Sequence, residues 1–437
     1  MDGTEISTRL ATFALGPVQA PEAMAVLRLS LLDWAAVGIA GRDEPVAAVM
    51  REMAQDEGGT PLAGLIGSDL RVPARMAALV NGTVSHALDY DDTHFAHIGH
   101  PSVAVIPAAL AVGEAVGATG EALQEAALIG VEASIRVGVW LGRTHYQVGY
   151  HQTATAGAFG ATLAACRLMG LSRDQVQQAI GLVTTRASGI KAQFGTMGKP
   201  MNAGLAATNG VEAAQLAARG FISAPGAMDG QNGFGPTHHG EGQGDAFDTM
   251  GQDWLFESVQ HKFHACCHGL HATLEALRQL DAAADMVQSV AITTHPRWLS
   301  VCNIPTPANG LQAKFSYRMV TAMALTGRDT ARLESFDDAL CDDPILAALR
   351  ERVTVDTDDT LSEMQARLRV TLKDGTVQDL FHDLDVDPGL DARETRVRSK
   401  AAALLGSGRA DAIWDAITDG AAPSELAALL VRQVVEA

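Results

Sequence analysis

NGTVSHALDYDDTHFAHIGHPSVAVIP, residues 81–107, sets His86, His94, His97 and His100 beside Asp89, Asp91 and Asp92. An apolar run precedes this polar knot and another follows, both with helical spacing, so the stretch joins two helices of a helical fold. Aspartate is rarely buried without a partner. Imidazole is the side chain whose charge changes most easily near neutral pH. The stretch therefore reads as one wall of an acid–base site.

The preceding helix is expected over residues 73–88. Continued by one turn, it would place His86, Asp89 and Thr93 on one face, at i, i+3 and i+7. An aspartate beside a histidine fixes the imidazole tautomer and stabilises its charged form. Asp91 and Asp92 read instead as capping groups at a helix end. His94, His97 and His100 recur every third residue, but Gly99 and Pro101 break the helix that would align them. Pro101 favours a first helical turn, which puts His100 at the start of a helix over 102–116. Backbone N–H groups there attract anions, and the helix dipole favours a neutral histidine able to accept a proton.

That arrangement recurs. Lys199 precedes Pro200 at the expected start of a helix over 201–219, and His151 precedes one beginning near Thr153. His271 lies in the first turns of a segment running to Leu280. Converging, these ends would make a pocket for a small anionic carboxylate, with Lys199 as its point charge.

Beyond these segments, apolar spacing predicts helices over 27–37, 121–141, 153–169 and 173–184. Strand patterns are absent from the first 220 residues, which argues against a parallel α/β sheet. Residues 224–251 are glycine-rich and polar, and read as a mobile surface loop; no strand precedes them, as a phosphate loop requires. Strands are expected only later, over 287–294 and 352–357, with a hairpin over 366–380 around Asp374–Gly375. Helices are expected over 312–325, 343–350, 394–405, 411–418 and 423–435. The fold class is thus mainly α: a large all-helical domain, residues 1–265 with 399–437, plus a smaller α+β lid domain over 266–398.

The 437 residues carry a formal net charge of −19, which argues against nucleic acid and against an anionic membrane as partners. Five cysteines show no framework spacing and fit reduced thiols in a cytoplasmic protein. The N-terminal residues lack the basic and apolar parts of a signal peptide. No window holds the roughly 18 uninterrupted apolar residues of a membrane span. The run HKFHACCHGLHA, residues 261–272, offers His264, Cys266, Cys267, His268 and His271 as metal ligands, which would suit a metal-dependent hydrolase. Adjacent cysteines chelate poorly, however, and the expectation is that no metal is bound. Cys266 reads as a structural buried thiol.

At NGTVSHALDYDDTH…GHPS, YHQTATAGAFGAT, FGTMGKPMNAG, NGVEAAQLAARGF, KFHACCHGLHA and AKFS the chain resembles the MmgE/PrpD family. That family includes 2-methylcitrate dehydratase, cis-aconitate decarboxylase and iminodisuccinate epimerase. The resemblance implies a helical domain with a smaller α+β lid, a homodimer, and catalysis without an iron–sulfur cluster or organic cofactor. It implies active-site roles for Asp89, Thr93, His100, His151, Lys199 and His271. Two departures stand out. Asn202 stands where family members usually carry histidine, and the tyrosine that follows A-K-F-S in the decarboxylase falls at Met319, with Tyr317 close by. Asn202 and Tyr317 are kept as candidate substrate-binding residues.

Family members share proton removal or addition beside a carboxylate, a step that needs a poised base and fixed positive charge. On this reading Lys199 and helix ends hold the substrate. His100 and His151 exchange protons on opposite faces, Asp89 orients one of them, and His271 completes the pocket when the smaller domain closes. A hydro-lyase (dehydratase) on a di- or tricarboxylate is the leading expectation. The alternatives are an epimerase or isomerase of an aminodicarboxylate, a cis-aconitate-type decarboxylase and a metal-dependent hydrolase.

Overall fold

The computed structural model describes residues 5–431. They fall into two compact units, one formed by residues up to His261 together with those from Val397 on, the other by Lys262–Arg396. The fold is mainly helical, with sheet confined to two small assemblies. The last expected helix ends at Leu430; its expected continuation to Val435 lies outside the described residues.

The first unit opens with the helices α1 (Glu5–Leu15), α2 (Pro21–Ala40), α3 (Pro45–Glu57), α4 (Ala74–Ser85), α5 (Ser102–Val116), α6 (Gly120–Gln147), α7 (Gln152–Leu168), α8 (Arg173–Val183) and α9 (Gly198–Ala218), and the segment from Val397 on adds Ser407–Thr418 and Pro423–Leu430. Small residues let α4, α5, α7 and α9 approach closely. A Cβ on Gly82 would come within 2.9 Å of the Gly204 backbone, and one on Gly157 within 2.6 Å of Ala104. Long buried runs such as Ser102–Gly113 and Gln152–Cys166 show helices covered all round, which is why their apolar stripe is broad. Helix α2, with its continuation to Asp43, is long and apolar enough by composition to cross a membrane, though Glu22, Arg28 and Asp33 interrupt it, in keeping with the expectation of no uninterrupted apolar span. Of its most apolar window 78% is buried within the fold.

Several expectations are corrected. The first unit is not all-helical: β1 (Ala63–Leu65) and β2 (Ser68–Val72) pair antiparallel. These strands are too short to show alternation in the sequence. Residues 224–251 are tied down rather than a free loop. Met228, Phe234 and Phe247 are buried, and the backbone N–H groups of Glu241 and Gly242 donate to Leu141 and Trp140 in α6. The reason is a break in α6 at Gly142, whose φ of 73° opens the helix. The Glu241 carboxylate takes the space a Cβ there would fill and accepts from Thr144 N and Oγ1 at 2.7 Å. Arg136, fully buried beside Glu132, donates to the carbonyls of Ala246 and Asp253 and anchors the same segment.

The second unit carries a four-stranded sheet in the order β4 (Val353–Thr357), β3 (Val287–Thr294), β5 (Gln365–Leu372), β6 (Val377–Asp383). β3 pairs parallel with β4 and antiparallel with β5. The hairpin turns where expected: Gly375 has φ 87°, and Asp374 accepts from the Thr376 N–H at 2.9 Å. The helix expected over 312–325 is two pieces, Gly310–Ala313 and Tyr317–Leu325. Ser316 caps the second piece by accepting from Met319 N at 3.2 Å.

Candidate active site

Helix α4 ends at Ser85, so His86 and Asp89 do not continue it and the expected shared face does not form. The chain turns instead. Asp89 has φ 52° and Ile98 has φ 54°, both in the left-handed region. For a β-branched residue such as Ile98 this is costly, and such strain gathers at functional sites. His94 and Gly99 exchange backbone hydrogen bonds at 2.9 and 3.3 Å, closing residues 94–99 into a tight loop that returns His100 to α5. The His100 N–H donates to Thr153 Oγ1 at 3.0 Å, locking that return onto the start of α7.

The result brings four sequence-predicted residues together within the first unit. The Lys199 ammonium lies 2.6 Å from one Asp89 oxygen, and His100 Nε2 lies 3.4 Å from the other. Lys199 sits inside the first turn of α9 rather than ahead of it, because that helix begins at Gly198. His151 is the N-cap residue of α7. Its ring lies 6.1 Å from that of His86, which is 4.7 Å from that of His100. Phe194 meets His151 edge-on at 4.9 Å, with the Lys199 ammonium 5.3 Å from its ring centre.

The carboxylate that orients the histidines is Asp91, which sequence reasoning took for a capping group. One Asp91 oxygen lies 2.9 Å from His86 Nδ1 and the other 2.7 Å from His100 Nδ1. Burial raises the carboxyl's pKa, but the two imidazoles outweigh it and hold Asp91 well below its usual range. An anionic Asp91 keeps Nδ1–H on His100 and leaves Nε2 as its working nitrogen. Asp92 does cap: it accepts from Ser102 N and Oγ at the start of α5 and from Ser30 Oγ at 2.7 Å. Burial, foremost, pushes its carboxyl up to about 7.

Asn202 orients rather than faces outward. It is 4% exposed, and its amide donates to His151 Nδ1 at 3.1 Å and to the Ile190 carbonyl at 3.4 Å. A donor at Nδ1 places the His151 proton on Nε2. Burial first, then the neighbouring His86, Lys199 and His100, holds the His151 pKa well below its ordinary value, so the ring is neutral near pH 7. The two histidines are thus held differently at Nδ1: His100 by the Asp91 carboxylate, with its Nε2 towards Asp89, and His151 by the Asn202 amide, which leaves the proton on Nε2. The signal for Asp91 was in the sequence, five residues after His86; the signal for Asn202 was its place one helical turn beyond Lys199.

The remaining candidates have other partners. Thr93 pairs with Gln260, its N–H donating at 2.9 Å and its hydroxyl at 3.4 Å. His271 and Tyr317 belong to the second unit. His271 stacks on His268 at 4.7 Å and meets the Cys266 carbonyl at 3.3 Å. Burial foremost lowers its pKa well below the ordinary value. Tyr317 is fully buried and its hydroxyl is committed, donating to Gly269 O at 2.7 Å with Thr294 Oγ1 at 3.1 Å. Its hydroxyl is thus already engaged within the second unit. Among the described residues, the donors that converge within 4.8 Å of one another are His86, Asp89, Asp91 and His100, and the 264–271 run forms no such group. In the converging group Asp89 already faces the Lys199 ammonium, and Asp91 is spent on two imidazoles.

The chain is similar to several curated proteins. It is 29% identical over 267 residues to the cis-aconitate decarboxylase-like protein oryM of Aspergillus oryzae (strain ATCC 42149 / RIB 40), covering 57% of this chain and 55% of that protein. It is 26% identical over 349 residues to cis-aconitate decarboxylase of Aspergillus terreus (strain NIH 2624 / FGSC A1156), covering 71% and 70%. The human cis-aconitate decarboxylase is 27% identical over 328 residues, covering 70% and 67%. The match thus spans little more than half of the first of these relatives and about two thirds of the others. The MmgE/PrpD N-terminal domain model matches residues 5–244 and the C-terminal domain model residues 264–409. With both models matched in order over most of its length, this chain belongs to the MmgE/PrpD family.

Proposed function

We propose that this protein is a lyase acting on a small tricarboxylate, by proton transfer at a carbon beside a carboxylate. The observation that carries the reading is a pair of histidines, one held at Nδ1 by a carboxylate and one by an amide, beside an ammonium in one site. Loss of CO2 from a carbon next to a double bond leaves a carbanion spread into the neighbouring carboxylate, and a proton must then be delivered to carbon. His151 offers an Nε2–H for that delivery. Dehydration runs through a related carbanion: a base removes the proton, and hydroxide then leaves the adjacent carbon. His100 Nε2 offers the base. Lys199, displaced from Asp89 by substrate, supplies the counter-charge that makes either dianion accessible.

Cis-aconitate decarboxylation leads, because the similar curated proteins carry that name; it breaks a carbon–carbon bond, not the carbon–oxygen bond of a hydro-lyase. Dehydration is the second reading. Its support is that Tyr317 keeps its hydroxyl committed and Met319 is fully buried, so neither offers the tyrosine expected of the decarboxylase. Activity in a homodimer, as the family resemblance implies, is part of the proposal.

Proton NMR in heavy water with cis-aconitate, citrate, methylcitrate and an aminodicarboxylate tests this. Deuterium at a product carbon with CO2 release identifies the decarboxylase, and gain or loss of water the dehydratase. Deuterium wash-in without net conversion identifies an epimerase. No exchange into any of them overturns the proposal. Lys199→Ala is expected chiefly to raise KM, and His100→Ala chiefly to lower kcat.

A further inference from the structure

The second unit holds a thiol pair that the proposed chemistry leaves unused. Cys302 Sγ donates to Cys267 Sγ at 3.2 Å. A disulfide bond is about 2.05 Å long, so the sulfurs are about 1 Å from bonding distance. The two cysteines come from separate segments. Cys267 precedes the turn His268–Leu270, and Cys302 ends the short helix Leu299–Cys302. The contact is built by packing: a Cβ on Gly269 would meet the Trp298 ring at 2.5 Å and Cys302 Sγ at 2.9 Å, so the glycine leaves the space in which the buried thiol sits. The backbone N–H of Cys267 is fixed to the Lys314 carbonyl at 2.9 Å.

The two thiols differ as a nucleophile and its resolving partner should. Cys267 is partly exposed, whereas Cys302 is fully buried. The hydrogen bond to Cys267, foremost, raises the Cys302 pKa, so Cys302 keeps its proton and directs it at the Cys267 sulfur. A thiolate that receives such a bond is favoured. The neighbourhood is cationic: Lys262 and Lys314 act on Cys266, and Arg297 on Cys302, each against the effect of burial. Cys266 is buried beside them, whereas the hydrogen bond joins Cys302 to Cys267.

We propose that Cys267 and Cys302 are a peroxide-sensitive pair that closes to an intramolecular disulfide. Cys267 thiolate attacks a peroxide oxygen, the O–O bond breaks, and Cys267 becomes a sulfenic acid. Cys302 sulfur then displaces that oxygen, which leaves as water with the Cys302 proton. Overall the two thiols lose two electrons and two protons, and hydrogen peroxide becomes two waters. Closure ties the turn His268–Leu270 to helix Leu299–Cys302, and the residue after that turn is His271.

The test is peptide mapping of the full chain after brief treatment with hydrogen peroxide and alkylation of the remaining thiols. The expected result is a Cys267–Cys302 cross-linked peptide that dithiothreitol abolishes, with Cys341 still alkylated. Cys302→Ser is expected to remove the cross-link and send Cys267 on to the sulfinic acid. Mapping of the unsubstituted protein decides the matter even if that variant does not fold. A Cys266–Cys267 bond, or a Cys267 that stays fully alkylated, would overturn the proposal. This readout needs no substrate, so it stands or falls separately from the lyase reading.

Discussion

Residues 86–100 and 261–271 look alike in the sequence, each a short run dense in histidine. They fold into different chemistry. In the first, two imidazoles share one anionic carboxylate, and an ammonium faces a second carboxylate nearby. In the second, His264, His268 and His271 lie on one another, with ring centres 4.7–5.1 Å apart. The one carboxylate there, Glu275, contacts His264 at 3.0 Å and also pairs with Arg396. Histidine density therefore does not make an acid–base site. What distinguishes the first run is a carboxylate placed at Nδ1 of two of its imidazoles, which orients both rings. Even within the first run only His86 and His100 gain that partner. His94 turns to the Leu255 carbonyl and Ser258, and His97 is packed against Gly138 and Gly99.

Removing the shared carboxylate should break the contrast most. Asp91→Asn cannot accept from both imidazoles as the carboxylate does, and its NH2 opposes one of the two Nδ1–H groups. The expected result is a loss of kcat on the order of 100-fold or more, with KM changed only a few-fold. A shifted pH–rate profile separates this from simple damage, since Asp91 is buried against the two imidazoles and would act through them. Unaltered kinetics would remove Asp91 from the site.

Asn202→Asp should come next. The aspartate would accept from His151 Nδ1, reversing the tautomer the amide imposes and moving the proton off Nε2. A fall in kcat of roughly 10- to 100-fold is expected, with KM little changed. Asn202→Ala, which leaves the tautomer unset, should fall less. Equal losses in the two variants would show that Asn202 only fills space.

How much of this was legible in the sequence follows from where each signal lies. Helix α5 and strand β3 stand where spacing put them, because apolar periodicity and β-branched enrichment are local. So did the placing of His100 and His151 at helix starts, which proline and the onset of periodicity mark. The Lys199–Asp89 contact was implied only by convergence, and its direct geometry depends on a left-handed Asp89 that no residue pattern announces. Asp91 was misread because a carboxylate next to a helix start caps far more often than it bridges, and only the return of residues 94–99 brings His100 to it. The folded state of 224–251 was hidden for a related reason: its partners are Leu141 and Trp140, about a hundred residues earlier.

The second run should answer in stability. Glu275 is 7% exposed and receives both His264 and Arg396. Glu275→Gln keeps its shape but loses the charge, at an expected cost of about 1–3 kcal/mol. Urea denaturation reads this as a lower midpoint with an unchanged slope. A cost near zero would mean that Arg396 and His264 find other partners when the charge is gone.

The smallest effect sets buried imidazoles against the buried carboxyl of Asp92. Burial foremost pushes His94 and His145 down to about 4, and holds His97, His151 and His271 well below the ordinary value. The unfolded chain therefore binds more protons between about pH 4 and 6.5, and stability falls as pH drops through that window. Asp92 opposes this. Its folded-state pKa is raised to about 7, so its contribution is present below the unfolded value of 3.8 and is lost as pH rises towards 7. The histidines are more numerous, so the wild-type melting temperature should fall between pH 6.5 and 4.5. Asp92→Asn removes one opposing group, burial also raising Glu114 and Glu132, and should steepen that fall, by at most about 1.4 kcal/mol per pH unit. A slope left unchanged would mean that Ser30 and Ser102, both donating to Asp92, keep it ionised through neutrality despite its burial.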